Sequence, residues 1–147
     1  MKWFFVGLAL VVGMFLPVQA GINTELKRFV QEPVWAAFIS FAVGTVALLV
    51  FGLVQGLPAQ GLTASFGAPV WTWTGGFFGA FFVAASVVLT LKLGATAMSA
   101  FIIAGQLAAS VLLDHYGVLG YAVHEVNPMR LLGAALVLAG AVLVRFF

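Results

Sequence analysis

The chain is predicted to be an all-α, polytopic membrane protein with five transmembrane helices, and three observations carry that expectation. Of its 147 residues, 64% are hydrophobic and 7% charged, where a soluble domain holds about half apolar and about a quarter charged residues. Mean hydropathy is +1.20. Second, the few charges are spaced so as to leave uncharged runs, and a helix needs about 20 mostly apolar residues to cross a bilayer core. Third, Trp3, Trp35, Trp71 and Trp73 each fall near the start of such a run, where an amphipathic ring prefers the headgroup layer.

The first helix is predicted over about 3–28, since residues 3–24 carry no charge between Lys2 and Glu25. Its beginning has the layout of a secretory signal peptide, with Lys2, an apolar core and Val18-Gln19-Ala20 as a cleavage-like site. We read it as a retained span because the apolar run continues through Gly21 and Ile22. Pro17 is expected to kink it. Residues 33–91 are free of charge between Glu32 and Lys92 and hold two crossings, split by the turn-rich stretch Gln55-Gly56-Leu57-Pro58-Ala59-Gln60-Gly61-Leu62-Thr63. The second helix is placed at about 34–54 and the third at about 70–91. Lys92 and Gly94 then interrupt the pattern, and the fourth helix covers about 95–113, ending at Asp114-His115. The fifth covers about 128–147, with Asn127 as cap and Pro128 at the first helical position. The connectors are short, so residues 1–147 are read as a single transmembrane domain.

An odd number of spans puts the two ends on opposite faces. Lys2 and Arg130 lie on one side, Lys27, Arg28, Lys92 and Arg145 on the other, which is a weak positive-inside bias. Such a chain can insert either way, and an antiparallel pair would make a ten-helix bundle with the inverted repeat of many secondary transporters. A singly oriented protein with few charges gives the same tally. Five helices are few to enclose a pathway and gate both of its ends, so a dimer would supply the missing walls. Gly75, Gly79, Gly133 and Gly140 are the candidate packing positions between copies, although small residues also pack helices within one chain.

Chemistry is poorly supplied. With no cysteine and with Glu25, Glu32, Asp114, Glu125, His115 and His124 as the whole stock of acids and imidazoles, neither an enzyme nor a metal or cofactor site is expected. Six Lys and Arg against four Asp and Glu form no basic stripe, so no nucleic-acid partner is expected either. What remains is polar groups at membrane depth, which must face a partner, a cavity or a solute. Gln19 and Asn23 share a face of the first helix; Gln106, Ser110 and Asp114 share one of the fourth, with Ser99 a heptad earlier. These two stripes are expected to point inward and line a central site for a small molecule, with Ser40 adding to it and Trp71 and Trp73 near one mouth. Asp114 and Glu25 are the nearest substitutes for a coupling or gating carboxylate, because no acid lies in the middle of a span. An interfacial pairing of Asp114 with an Arg or His competes with that role. Arg130 and Arg145 read as snorkelling anchors.

The same residues resemble a family, the five-helix YdcZ-type inner-membrane proteins of the drug/metabolite transporter superfamily. The resemblance runs over essentially the full chain. It is carried by Gln19-x-x-x-Asn23, by Pro33 with Ser40-Phe41-x-x-Gly44-Thr45, by Gly75-Gly76-x-x-Gly79-Ala80, and above all by Gly105-Gln106-x-x-x-Ser110-x-x-x-Asp114-His115-x-Gly117 followed by Arg130-x-x-Gly133. It implies a bacterial inner-membrane transporter that pairs as an antiparallel homodimer or as a heterodimer with a paralogue, and it supplies no substrate; the leading reading is a secondary transporter of small organic solutes acting by alternating access. Small multidrug resistance proteins differ by lacking a fifth helix and by carrying a glutamate in the first span, so their proton antiport is not carried over. Two other readings stay open. One is a dual-topology ion channel, which Gly75-Gly76-Phe77-Phe78-Gly79-Ala80 suggests by similarity to a glycine stretch in fluoride channels. The other is a non-transporting subunit of a heteromeric membrane complex.

Overall fold

The computed structural model describes residues 2–147, with side chains from Trp3 onward. The Lys2 side chain, counted above on one face, lies outside the described residues. Helices α1 (Lys2–Val30), α2 (Pro33–Val54), α3 (Gln60–Ala64), α4 (Thr74–Leu93), α5 (Ala95–Tyr116) and α6 (Pro128–Phe146) follow one another, with short 3₁₀ turns at Ser65–Gly67, Val70–Trp73 and Val118–Gly120. All regular structure among the described residues is helical. Five segments are long and apolar enough to cross a membrane: Trp3–Val30, Pro33–Val54, Val70–Leu93, Ala95–Tyr116 and Pro128–Phe146. The first and fourth helices run two or three residues past their expected ends, and the third span is entered through a 3₁₀ turn.

Each helix stops for a local reason. Gln31 closes α1 in the left-handed region at φ 66°, with its N–H on the Lys27 carbonyl at 2.8 Å and its Nε2 on the Arg28 carbonyl at 2.6 Å. Two of the last turn's unpaired carbonyls are thereby satisfied, and Lys27 and Arg28 sit where the helix dipole favours cations. Pro33 then starts α2 at a position where its missing N–H costs nothing. Gly56, at φ 66°, ends α2 in a Schellman motif, with Leu57 N–H on the Gly52 carbonyl and Gly56 N–H on that of Leu53, both at 3.0 Å. A single residue joins α4 to α5. Gly94 adopts φ 80°, ψ 162°, a region essentially confined to glycine. Asn127 caps α6, its Oδ1 accepting from the Arg130 N–H at 2.9 Å, with Pro128 next in line.

The chain divides into two compact units, residues 19–88 and residues 1–18 with 89–147, and α1 and α4 run from one into the other. In the unit of residues 19–88 the buried side chains are mostly small: Ala20, Ala36, Ala37 and Ser86, with Val83, Val87 and Asn23. The Ser86 hydroxyl donates to the Val83 carbonyl at 2.8 Å, which removes a polar cost that burial would otherwise impose. Gly79 lies under the Phe41 ring, so that a Cβ there would stand 3.1 Å from Phe41 Cζ. That approach seats α4 on α2. In the other unit α5 packs along α6, burying Ala97, Met98, Val111 and Ala141. Large apolar side chains elsewhere on the spans are exposed, among them Phe5, Leu48 and Leu136, as befits helices that contact a bilayer.

Candidate functional site

In the unit built on α5 and α6, the polar stripe of the fourth span is borne by α5. Ala95–Tyr116 is 22 residues, about 33 Å long, and Gln106 sits at its midpoint. The side chains of Gln106 and Ser110 are exposed and that of Ser99 is half-buried. On the α6 side, Phe101, Ala104, Gly105 and Ala108 line a groove of about 410 Å³ shared with Ala134, Ala135 and Leu138. At about 100° per residue, Gln106 and Ser110 lie on nearly the opposite face of α5 from that groove. The packing of α5 on α6 therefore leaves the mid-span amide unmet. An amide offers two donors and an acceptor, and moving one into hydrocarbon without hydrogen bonds costs about 4–8 kcal/mol.

The far end of α5 is tied down by a ring of polar contacts. Arg130 Nη2 donates to Asp114 Oδ2 at 2.7 Å, Arg130 Nη1 to the His124 carbonyl at 2.9 Å, and the His124 N–H to the Asp114 carbonyl at 2.9 Å. Asp114 stands at a helix C-terminus and Arg130 at a helix N-terminus, and the macrodipole disfavours both placements. Their pairing offsets the two penalties at once. Asp114, expected as a coupling or gating group or else as an interfacial partner, is held in an ion pair. Arg130, read from the sequence as an anchor, holds it. The return of the chain depends on Gly117 at φ 60°, Leu119 at φ 58° and Gly120 at φ 85°. His115 Nδ1 accepts from the Val126 N–H at 3.4 Å. Gly133 and Gly140 have open space where a Cβ would project.

The unit of residues 19–88 holds the remaining candidates. Gln19 is exposed on α1, whereas Asn23, one turn later, is 3% exposed and its buried Nδ2 has no hydrogen-bond partner among the described residues. Such a donor keeps its full desolvation penalty until an acceptor arrives. Glu25 is exposed and pairs with Arg28 at 3.0 Å, a surface contact of little energy. Ser40 is half-buried on α2, and Trp71 and Trp73 are exposed at the entry to the third span. Gly75 has open space around it, while the room at Gly79 is taken by Phe41 of the same chain. The sequence reading did not single out the groove between α2 and α4, which measures about 450 Å³. Phe38, Phe41, Phe77 and Phe81 line it with Ala37 and Ala80. Only the i, i+3 spacing of Phe38 and Phe41 and the i, i+4 spacing of Phe77 and Phe81 hinted at it, and among 15 phenylalanines such spacings mark nothing by themselves.

Among known proteins, the model of a family described as "Putative inner membrane exporter, YdcZ" matches residues 4–143. No curated protein and no solved structure matches the chain. Inner-membrane export is the work of a transporter rather than an enzyme, and the five spans are those of a multi-pass inner-membrane protein.

Proposed function

Because the chain belongs to the YdcZ family of the drug/metabolite transporter superfamily, we propose that it is a secondary transporter of small organic solutes, working by alternating access as an antiparallel dimer. One observation carries this reading: Gln106 lies exposed at the middle of an otherwise apolar span, on the face of α5 turned away from α6. Left against lipid, that amide would cost several kcal/mol. Facing an inverted copy across a wet pathway, it would meet water, solute or a partner helix. Ser110 and Ser99 extend the same stripe, and Gln106 and Ser110 are the α5 groups proposed to touch the solute. On the other unit Gln19, Asn23 and Ser40 are proposed as pathway groups, with Asn23 Nδ2 donating to an acceptor oxygen of the passing molecule. Trp71 and Trp73 stand at the entry to their span. Gly75, Gly133 and Gly140 would let a second copy approach closely, since, apart from the adjoining helix turn, no described residue comes within 4 Å of where a Cβ would stand. Asp114 and Glu25, both ion-paired, are proposed as coupling or gating positions.

Gln106→Leu tests the proposal, since it keeps approximate volume and removes the amide. A screen of small solutes against the purified, detergent-solubilised protein identifies those that raise its unfolding temperature, by an amount set by concentration over affinity. The Gln106→Leu variant is expected to fold and pair as before and to lose that stabilisation. Undiminished stabilisation by the same solute would remove the α5 stripe from the pathway.

A further inference from the structure

The connection between α2 and α4, residues 55–73, has the wrong surface for a loop in water. Loops on soluble faces carry charged and polar residues whose backbone and side chains bond to solvent. Residues 55–73 carry no charge. Instead Leu57, Leu62, Phe66, Val70, Trp71 and Trp73 are all more than half exposed, and Phe66 and Trp73 keep their ring centroids 6.2 Å apart.

Its hydroxyl groups are turned inward upon the segment itself. The hydroxyls of Thr63, Ser65, Thr72 and Thr74 each donate to the carbonyl three residues earlier, those of Gln60, Leu62, Pro69 and Trp71, at 2.6–3.0 Å. Backbone donors are used in the same way: Gly61 N–H on the Pro58 carbonyl, Leu62 and Thr63 on Ala59, Ala68 on Ser65 and Thr72 on Pro69. A segment whose hydroxyls and amides are satisfied internally no longer depends on water for them, which is the condition for lying where water is scarce.

We infer that residues 55–73 lie in the bilayer's interfacial zone, with Leu62, Phe66, Trp71 and Trp73 seated at the boundary between headgroups and acyl chains. The occupant of this apolar surface is lipid. Continuity supports the choice, because Val70 is the first residue of the span Val70–Leu93 and the exposed apolar surface runs without a charged break into that span. Tryptophan is the residue that prefers this depth, and Gln55 and Gln60 provide uncharged polar groups for the headgroup side. With no Lys or Arg in the segment, seating depends on apolar area and not on attraction to anionic lipid. The inference does not rest on the transport reading.

Brominated phospholipids test it. The full chain carrying Trp3→Phe and Trp35→Phe, so that Trp71 and Trp73 alone emit, is reconstituted into phosphatidylcholine vesicles with bromines either near the headgroup or near the chain ends. Bromines in both leaflets make the reading independent of which way the protein inserted. The expected result is loss of most of the emission to shallow bromines, a smaller loss to deep ones, and little loss to aqueous iodide, unchanged when anionic lipid is added. Quenching by iodide without quenching by bromines would make the segment an aqueous loop. Insensitivity to both would mean that protein, a second copy included, covers it. Either result overturns the inference. If the double substitution lowers the yield of folded protein, Trp71→Phe with Trp73→Phe reads the same surface by difference. The share of shallow-bromine quenching owed to Trp71 and Trp73 is then the difference between the unaltered chain and that variant, which keeps Trp3 and Trp35, and it has to exceed the corresponding difference with deep bromines.

Discussion

Replacing Asn23 by Leu should stabilise the protein while impairing its handling of solute. Asn23 is 3% exposed and its Nδ2 has no partner, so the folded state carries the desolvation cost of an unmade hydrogen bond, about 1–3 kcal/mol. Leucine keeps the branched skeleton of asparagine with bulkier ends and no polar atom, and it is the better helix former by about 0.5 kcal/mol. The expected gain is about 1.5–3.5 kcal/mol, which for a chain of this size corresponds to a rise of about 3–14 °C in Tm. Thermal unfolding followed by circular dichroism in a single detergent measures it, with Asn23→Ala as a control that removes the amide but leaves a void and so gains less. A solute that stabilises the native chain should stabilise the Asn23→Leu variant much less, because the donor proposed to meet it is gone. A fall in Tm on Asn23→Leu would refute the reasoning, since it would mean that the amide is already bonded in the folded protein.

Two further experiments probe the far end of α5. In a double-mutant cycle, Asp114→Asn and Arg130→Met should show a coupling of about 1–2 kcal/mol in unfolding free energy, scaled down from the charged hydrogen-bond range because solvent reaches a quarter to a third of each side chain. A coupling indistinguishable from zero would make the 2.7 Å pair energetically idle. Gly117→Ala should cost about 1–2 kcal/mol for the left-handed backbone alone, and more because its Cβ would fall 2.5 Å from Val123 Cγ2. Adding Val123→Ala should recover the steric part and leave the backbone part, which calorimetry of the two proteins separates.

The membrane spans were legible because charge is expensive in hydrocarbon and the chain places its few charges at the span ends; residues 33–91 announce two crossings by their lack of any. The stops were legible where backbone chemistry leaves one choice, as at Gly94 with φ 80° and at Asn127-Pro128. Local entry was less so. Residues 70–73 form a 3₁₀ turn rather than the first turn of the third helix, and no residue type there distinguishes the two.

Within the candidate site, spacing alone indicated that Gln106 and Ser110 share a face of α5, since helical period requires it. It could not say that this face is the one left uncovered by α6, nor that of the pair Gln19 and Asn23 the first is exposed and the second buried with an unmet donor. Those outcomes depend on which neighbour fills which groove. Asp114 and Arg130, 16 residues apart, became partners only because Gly117, Leu119 and Gly120 turn the chain back at positive φ. Likewise Phe41 met Gly79 only once α2 and α4 had packed. Sequence determined how often and where the chain crosses, through the short-range energetics of burying charge and backbone. The tertiary structure decided which polar groups are answered and which are left waiting, because that is a matter of contact between residues distant along the chain.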